Sequence, residues 1–362
     1  MTAKQLKPTL MVMAGGTGGH INPAIAVADY LQSRGWQIVW LATEGGMENR
    51  LIADKAYRKA MITMRGVRGK GLLGWVFLPF QLFIACQQSV SAIMQYQPDV
   101  VLGMGGFAAF PGGLMAKVLG KPLVIHEQNA VAGLTNRTLS VLANKVLAAF
   151  PAAFGAKAEL VGNPVRQDIT ELPLPETRYA QRTGKIKLLV LGGSLGAAAL
   201  NDVLPKALAT LPEAQRPEVV HQAGEKHIAT LEANYLQAGV VAETKAYIQD
   251  MATIYAWADV VVCRAGALTV AELACVGVAS ILVPFPHAVD DHQTGNAHYL
   301  SEKGAAILIQ QTAFSVEKAS EILKQLTRHD CLAIANKARA LAKPDAAVSV
   351  ANICIGLAGI TA

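Results

Sequence analysis

The sequence predicts an α/β protein with two doubly wound parallel sheets, and three observations support this fold class. Short runs that are apolar on both faces alternate with helix-like segments, as expected for parallel strands covered by helices. A strand, a glycine turn and an apolar helix occupy residues 9–31, and the same plan returns at 186–208. The chain has 362 residues, more than twice the length of a typical domain, so we expect two domains.

The segments that follow each opening unit agree with this fold class. In the first half, further strands are predicted at 36–43, 98–104, 121–127 and 144–150. In the second half, they are predicted at 217–224, 258–264, 279–285 and 305–310. Ligands of open α/β sheets bind beyond the carboxyl ends of the strands, so the residues after these strands are the candidates for function.

A stretch with three prolines, residues 161–185, separates the two halves and has the composition of a linker. We therefore predict an N-terminal domain at 1–162, a linker at 163–185 and a C-terminal domain at 186–340. A final helix is expected within 341–362, where it can pack back on the N-terminal domain.

The composition restricts the class of protein. Hydrophobic residues make up 52% of the chain and charged residues only 16%, against about 25% charged in typical domains. The net charge of +6 suits an anionic partner. Five scattered cysteines without CxxC spacing argue against disulfides and structural zinc. The apolar runs are too short for a signal peptide or a membrane-spanning helix.

The opening turn, "GGTGGH" at 15–20, has more glycine than a tight strand-to-helix turn requires. We favour close approach of a phosphate or sugar, although a plain turn with positive φ remains the alternative. Ile21 stands where the dinucleotide fingerprint needs its third glycine, which weakens a nicotinamide-dependent oxidoreductase. The second turn, 192–196, contains Ser194, and the chain has no GxxxxGK[ST] motif of a P-loop NTPase.

His20 is predicted at the start of the first helix. The positive end of the helix dipole favours a neutral imidazole there, which can act as general base for a hydroxyl nucleophile. The alternative is a histidine that only donates a hydrogen bond at the helix start. The residues alone do not separate the two.

In the second half, "CRAGALTVAELACVG" at 263–277 is the most informative stretch. A helix is predicted to start between Ala267 and Thr269, where its free N–H groups can receive a diphosphate. Glu272 lies about one turn further on and can accept hydrogen bonds from the two hydroxyls of a ribose. The alternative is a solvated glutamate stabilised by the helix dipole.

Polar residues are also concentrated in three other loops. In 284–300, His287, Asp290, Asp291 and His292 suggest a metal site, but their spacing favours hydroxyl recognition by Gln293 and Asn296 instead. The glycine-rich stretch 103–113 and the stretch 126–137 follow strands of the first half. Both are expected at the same ligand edge as the opening turn, where 103–113 suggests a second phosphate-bearing ligand. The stretch 126–137 brings His126, Glu127 and Asn129 to that edge, with a core or capping residue as the alternative for His126 and for Glu127.

A basic and aromatic segment at 65–88 is the candidate membrane contact. An ordinary buried helix is the alternative, which periodicity does not exclude. The candidate residues are Arg65, Arg68, Lys70, Leu72, Trp75, Phe77, Phe80 and Phe83.

Taken together, the motifs resemble those of the MurG family of glycosyltransferases, in family 28, nearly from end to end. The matching motifs are "GGTGGH" at 15–20, "VLGMGGF" at 101–107, "HEQN" at 126–129, "GNPVR" at 162–166, "GGSLGA" at 192–197, "ADVVVCRAGALTVAE" at 258–272 and "HQTGNA" at 292–297. The resemblance implies a GT-B fold of two Rossmann-like domains facing across a cleft. It also implies transfer of N-acetylglucosamine, with inversion, from UDP-GlcNAc to O4 of undecaprenyl-diphosphate-linked muramoyl-pentapeptide.

The resemblance also assigns residues. His20 would be the general base, and Glu272 is the second residue expected to be catalytic. The UDP-GlcNAc contacts would be Thr17, Gly18, Gly19, Asn129, Arg166, Ser194, Ile248, Ala267, Leu268, Thr269, Val270, Ala271, Glu272 and Gln293. The acceptor diphosphate is assigned to Gly15, Gly16, Gly105, Gly106 and His126. No cofactor and no metal is implied, consistent with the missing DxD motif.

The family further implies a place in peptidoglycan synthesis, and so in cell wall biogenesis, cell shape and cell division. The location would be peripheral, at the cytoplasmic face of the inner membrane, with an anionic membrane surface and other cell-wall synthesis proteins as partners and no nucleic acid. Three alternatives from other classes remain: a UDP-GlcNAc 2-epimerase of the same architecture, a nicotinamide-dependent oxidoreductase, and a nucleotide-sugar binding module without catalysis.

Overall fold

A computed structural model describes residues 7–64, 77–193 and 196–360. The chain divides into two compact units. The N-terminal unit comprises the described residues of Met1–Arg166 together with those of Pro344–Ala362, and the C-terminal unit is Gln167–Lys343. Each unit is described by itself below.

The described part of the N-terminal unit contains a seven-stranded parallel sheet in the order β3-β2-β1-β4-β5-β6-β7. Its strands are β1 (Thr9–Ala14), β2 (Gln37–Thr43), β3 (Arg58–Ile62), β4 (Val100–Gly105), β5 (Leu123–Glu127), β6 (Lys145–Ala148) and β7 (Glu159–Leu160). Its helices are α1 (Gly18–Ser33), α2 (Glu48–Leu51), α3 (Leu78–Tyr96), α4 (Ala109–Val118), α5 (Leu134–Leu139) and, from the end of the chain, α15 (Ala346–Leu357).

The C-terminal unit contains a six-stranded parallel sheet in the order β10-β9-β8-β11-β12-β13 among its described residues. Its strands are β8 (Lys187–Leu191), β9 (Glu218–Gln222), β10 (Glu243–Lys245), β11 (Val260–Cys263), β12 (Ala279–Leu282) and β13 (Ile307–Leu308). Its helices are α6 (Gln167–Thr170), α7 (Pro175–Tyr179), α8 (Ala198–Ala209), α9 (Ile228–Ala238), α10 (Met251–Trp257), α11 (Ala267–Val276), α12 (His292–Ser301), α13 (Val316–Gln325) and α14 (Arg328–Ala340). Short 3₁₀ turns occupy Gly155–Lys157, Glu213–Gln215, Val289–Asp291 and Gln311–Ala313.

Both faces of the N-terminal sheet are covered, which explains why β1 and β4 are buried at every position. On one face, Leu10 and Val12 pack with α1, with Trp40 and with α15. On the other face, Met11 and Met13 pack with α3 and α4. The last helix therefore belongs to the core of the N-terminal unit, where Val350 and Cys354 are fully buried.

The proline-rich stretch predicted as a linker at 163–185 differs from that expectation, because most of it is folded into the C-terminal unit. Tyr179 is buried in the core, and its hydroxyl donates a hydrogen bond of 2.6 Å to the carbonyl of Asp259. Arg178 donates to the carbonyl of Val276 at 2.8 Å, and Arg182 forms an ion pair with Asp259. Composition alone did not reveal these long-range contacts.

Three strands at the sheet edges, β3, β7 and β10, were not predicted from the sequence. Edge strands are paired on one side only and leave part of their surface in solvent. Both residues of β7 are exposed and β3 alternates exposed and buried positions, so neither shows the continuous apolar run of a central strand.

The strand order places one reversal of the winding direction at the centre of each sheet. In the N-terminal unit the chain leaves β1 toward β2 and later returns to β4 on the other side of β1, and β8 and β11 are related in the same way in the C-terminal unit. Such topological switch points open a crevice at the carboxyl ends of the two central strands. The four segments that follow β1, β4, β8 and β11 are therefore the places to look for a site.

Candidate functional site

The turn after β1 rests on two buried side chains. Trp40 donates its indole N–H to the carbonyl of Ala14 at 3.0 Å, immediately before the glycines. A Cβ added to Gly15 would lie 3.3 Å from a carboxylate oxygen of Glu48, so Gly15 sits against that carboxyl group. The other oxygen of Glu48 accepts the N–H and hydroxyl of Thr43 at 2.8 and 2.7 Å. The turn is thus supported from below before α1 begins at Gly18.

The turn after β4 packs directly against the turn after β1. Gly105 and Gly106 have φ of +99° and +85°, a region that favours glycine. A Cβ on Gly106 would lie only 2.3 Å from the carbonyl oxygen of Gly15, which no real side chain tolerates. Gly15 and Gly106, assigned from the family to the acceptor diphosphate, therefore make this backbone contact. Gly16, with φ of +86°, is exposed at the turn.

His20 lies in the first turn of α1 with its imidazole over Gly105. A Cβ on Gly105 would be 3.1 Å from both Nδ1 and Cε1 of the ring. The ring is half-buried, and its Nδ1 is 2.8 Å from Oε1 of Gln128. Gln128, the residue after β5, thus contacts Nδ1 of the His20 ring, and Gly105 at the end of β4 lies close to the same ring.

His126 lies behind this pair and is fully buried. Its Nε2 is 2.9 Å from the carbonyl of Gly162, and its Nδ1 is 3.1 Å from Nε2 of Gln128. Burial lowers the pKa of His126 to about 4, so the ring is neutral at pH 7. The prediction that His126 contacts the acceptor diphosphate needs correction, because both ring nitrogens are occupied by the protein.

Glu127 organises the loop that follows β5. Its carboxylate accepts the backbone N–H of Asn129 at 3.0 Å and that of Gly133 at 3.1 Å. It also accepts the amide of Asn136 at 2.9 Å. Asn129 is half-buried next to this anchor, at the same strand edge as His20. This arrangement fixes the position of Asn129, one of the predicted donor contacts.

The second glycine turn, after β8, is described only in part. Ser194, a predicted donor contact, lies outside the described residues. Gly193 and Gly196 have φ of +76° and +77°. A Cβ on Gly196 would lie 2.4 Å from the carbonyl of Ala223, so this glycine allows a close approach to the chain after β9.

The start of α11 follows β11 and fits the expected anion site. Gly266 precedes the helix in extended conformation, and among the described residues no side chain caps its first N–H groups. Glu272 lies in the second turn, nearly buried, and its Oε2 accepts the hydroxyl of Tyr255 at 3.0 Å. Tyr255 is itself fully buried. The carboxylate therefore has a fixed orientation on the same helix as the free N–H groups.

Arg264, immediately before this helix, contacts protein groups. It donates to the carbonyls of Val283 and Pro284 at 3.0 and 3.2 Å, and to the side chain of Gln311 at 2.6 Å. Its guanidinium also lies 5.5 Å from the ring centroid of Phe285. Arg264 thus anchors the start of the loop at 284–291.

Gln293 ties the end of the same loop back to its start. Its Oε1 accepts the N–H of Phe285 at 2.9 Å. Asp290 and Asp291, which lie between Phe285 and Gln293 in the sequence, have φ of +51° and +49°, respectively, a strained conformation for these residues. Ile248, predicted to meet the base through its backbone, is buried in the same unit. Arg166, the last residue of the N-terminal unit, is half-buried.

Two further expectations concern metals and membranes. Among the described residues, no cluster of His, Cys, Asp and Glu could hold a metal ion, and no helix is long and apolar enough to cross a membrane. Phe77, Phe80 and Phe83 are 57%, 64% and 59% exposed at the start of α3. The other members of the predicted membrane segment, Arg65, Arg68, Lys70, Leu72 and Trp75, lie outside the described residues.

The two sheets also correspond to two family models. The model described as the glycosyltransferase family 28 N-terminal domain matches residues 10–148, and the one described as the C-terminal domain of that family matches 187–352. The chain belongs to glycosyltransferase family 28.

Relatives within family 28 match nearly the whole chain. The UDP-N-acetylglucosamine--N-acetylmuramyl-(pentapeptide) pyrophosphoryl-undecaprenol N-acetylglucosamine transferase of Thiobacillus denitrificans is 55% identical, covering 97% of this chain and 98% of the relative. The protein of the same name from Aromatoleum aromaticum is 56% identical, covering 97% and 98%. The crystal structure of Acinetobacter baumannii MurG has a TM-score of 0.84 and 41% identity, covering 96% of this chain and 99% of that one. The predicted resemblance to the MurG family and the GT-B fold class are confirmed.

Membership of family 28 identifies the chain as an enzyme that transfers glycosyl groups.

The structure adds residues that were not assigned from the sequence. Gln128 was noticed only as part of "HEQN", although its position between His126 and Asn129 at a strand end marked it as a candidate. Tyr255 gave no signal, because its hydroxyl meets Glu272 only through the packing of α10 near α11.

Gly106→Ala tests the contact between the two turns. Alanine at positive φ costs about 1–2 kcal/mol, and the methyl group would also meet the fixed carbonyl of Gly15. We expect the N-terminal unit to lose about 2 kcal/mol more than in Gly120→Ala, whose φ is +69° and where a Cβ would meet nothing within 4 Å. Hydrogen exchange of the β1 amides measures the difference. Equal losses in the two variants would contradict the contact.

Proposed function

We propose that this chain transfers N-acetylglucosamine from UDP-GlcNAc to the 4-hydroxyl of the muramoyl sugar in undecaprenyl-diphosphate-linked muramoyl-pentapeptide. The observation that carries the proposal is the likeness, over nearly the full length, to relatives whose names state this transfer. The product is the lipid-linked disaccharide for peptidoglycan synthesis, so the enzyme serves cell wall biogenesis and, through it, cell shape and division.

The C-terminal unit binds the donor nucleotide in this proposal. The start of α11, from Ala267 to Thr269, offers backbone N–H groups to the diphosphate. Glu272, whose Oε2 accepts the hydroxyl of Tyr255, is the residue that recognises the ribose hydroxyls. Ile248 and Gln293 of the same unit, and Ser194 outside the described residues, complete the donor contacts. Positive charge at the helix start also stabilises the negative charge that grows on the leaving diphosphate.

The N-terminal unit supplies the base. His20 Nε2 takes the proton of the acceptor hydroxyl while the hydroxyl oxygen bonds to the anomeric carbon of the donor sugar. The bond from that carbon to the diphosphate breaks with its electron pair, UDP leaves, and the anomeric configuration inverts. Thr17, Gly18, Gly19 and Asn129 form the part of the donor contacts that lies on this unit, and Gly16 is the exposed glycine available to the acceptor diphosphate.

The lipid part of the acceptor requires a position at the membrane. The three phenylalanines at the start of α3, Phe77, Phe80 and Phe83, are exposed and recur once per turn, while the opposite side of the helix buries Ala85 and Ser89 in the core. An apolar row of this kind enters the interface of a bilayer, and the chain's net charge of +6 favours an anionic surface. We place the enzyme peripherally at the cytoplasmic face of the inner membrane.

The transfer is tested with labelled UDP-GlcNAc, with and without the lipid-linked acceptor. Label in the lipid only when acceptor is present supports the proposal. UDP release without acceptor, with the sugar recovered free or epimerised, would replace it with the 2-epimerase interpretation.

His20→Ala addresses the base. We expect kcat to fall by about 10²- to 10⁴-fold, the usual contribution of a general base, with affinity for UDP-GlcNAc nearly unchanged. Isothermal titration of UDP-GlcNAc and the lipid assay give the two values. An equal loss of affinity would make His20 a binding residue, and an unchanged rate would remove it from the mechanism.

Tyr255→Phe addresses the donor site with a minimal change. The variant keeps the buried ring but removes the hydroxyl that orients Glu272. We expect KM for UDP-GlcNAc to rise about 3- to 10-fold, corresponding to one lost hydrogen bond, with kcat little changed. Tyr30→Phe, at a half-buried position of α1 in the other unit, is the matched control. A KM equal to the control's would remove the Tyr255 hydroxyl from donor binding.

Phe80→Ser with Phe83→Ser addresses the membrane contact. Both rings are exposed, so the double variant should fold normally and bind less to vesicles of anionic phospholipid. Flotation measures the bound fraction, and Leu236→Ser with Val241→Ser, which are exposed on the C-terminal unit, is the control. Flotation equal to that of the wild type would place the membrane contact elsewhere.

A further inference from the structure

The hydrogen bonds around Gln128 form a continuous chain from the protein interior to His20. Gln128 is 1% exposed, so its side chain has no water with which to exchange partners. Its Nε2 lies 3.2 Å from the carbonyl oxygen of His126 and 3.1 Å from Nδ1 of the same residue. Its Oε1 lies 2.8 Å from Nδ1 of His20.

The partners of Gln128 determine which way its amide points. A carbonyl oxygen only accepts hydrogen bonds, so the group facing the carbonyl of His126 must be the NH₂ of Gln128. The reversed amide would set two carbonyl oxygens against each other in a buried place. The second N–H of the amide is then directed at Nδ1 of His126.

His126 is consistent with this orientation. Its Nε2 faces the carbonyl of Gly162 and therefore carries the proton. Because the buried ring is neutral, its Nδ1 is unprotonated and accepts from Gln128. Each donor along the chain from Gly162 to Gln128 thus meets an acceptor.

We propose that Gln128 is a positioning residue that holds the proton of neutral His20 on Nδ1 and so leaves Nε2 free to accept a proton. Since Oε1 of Gln128 only accepts, the 2.8 Å contact requires Nδ1–H of His20 as its donor. The inference deepens the proposed function and rests on it for the chemical use of Nε2.

The tautomer decides whether His20 can act as base. With the proton on Nδ1, the lone pair of Nε2 takes the proton of the attacking hydroxyl, and the resulting imidazolium still donates from Nδ1 to Gln128. With the proton on Nε2, the ring can only donate at that edge, and the hydroxyl proton has no acceptor. Partners that fix the tautomer of a metal-binding histidine typically affect affinity or activity by about 10- to 100-fold, and we expect an effect of the same size for His20.

The tautomer is measured directly in the unmodified chain. Protein labelled with ¹⁵N in its eight histidines gives long-range ¹H–¹⁵N spectra that distinguish protonated from unprotonated ring nitrogens. The signals missing in His20→Ala identify His20. We expect protonated Nδ1 and unprotonated Nε2 in the neutral ring. A proton on Nε2 would overturn the proposal without reference to any variant.

Gln128→Met tests the effect on catalysis, because methionine has nearly the same shape and makes none of the amide's hydrogen bonds. We expect kcat to fall about 10- to 100-fold, KM for UDP-GlcNAc to stay within about twofold, and no further loss when the change is added to His20→Ala. Gln32→Met, the same substitution at a half-buried position of α1 whose amide donates to the carbonyl of Ala56, is the control. Wild-type kcat in Gln128→Met, or additive losses with His20→Ala, would overturn the proposal.

The two levels of interpretation fail separately. If His20→Ala keeps full turnover while the spectra place the proton on Nδ1, the assignment of the base in the proposed function is wrong and the Gln128 contact is only structural. If His20→Ala abolishes turnover and the spectra place the proton on Nε2, the base assignment stands and the role of Gln128 falls.

Discussion

The close approach of two glycine turns is the constraint on which the N-terminal site depends. At the switch point between β1 and β4, the backbone of Gly106 passes so close beneath the carbonyl of Gly15 that only glycine fits. This contact sets the height of the first turn of α1 above the sheet, and with it the position of His20 over Gly105. The glycines at this contact are required for packing, whereas Gly16 and Gly19 are exposed and accessible to a ligand.

The C-terminal unit uses the same topology for different chemistry. Its central strands β8 and β11 end in turns at the corresponding positions, and Gly196 makes a similar close backbone approach, to Ala223. No histidine stands in the first turn of α11, whose first N–H groups have no side-chain cap, and the second turn carries the oriented carboxylate of Glu272. In the proposed function, one architecture therefore provides a proton acceptor in one unit and an anion site with hydroxyl recognition in the other. These are the two requirements of glycosyl transfer from a nucleotide sugar.

Sequence reasoning predicted the features that depend on local pattern. The central strands, the glycine turns and the polar residues after β5 and β11 all follow from apolar periodicity and from the rule that parallel strands end at one edge. It missed three of the four edge strands, β3, β7 and β10, which have no continuous apolar run. It also missed the folding of 167–185 onto Asp259, which needs contacts between residues far apart in sequence. For the same reason it left open whether His126 lies at the ligand or in the core. Only the fold reveals that the strand points this side chain into the core, beneath Gln128.

The buried position of His126 has a physical explanation that links stability to function. A histidine in the core loses its charged form, and leaving either ring nitrogen unpaired would cost about 1–3 kcal/mol. The protein satisfies both nitrogens with partners of fixed direction, a backbone carbonyl on one side and an amide on the other. Because a neutral imidazole has one donor and one acceptor, pairing it with a carbonyl leaves only one arrangement for the amide, and this arrangement in turn determines the proton position on His20. The requirement that buried polar groups form hydrogen bonds is therefore sufficient to orient the proposed base. The carbonyl of Gly162 determines the proton position on His126 and, through the amide of Gln128, the proton position on His20.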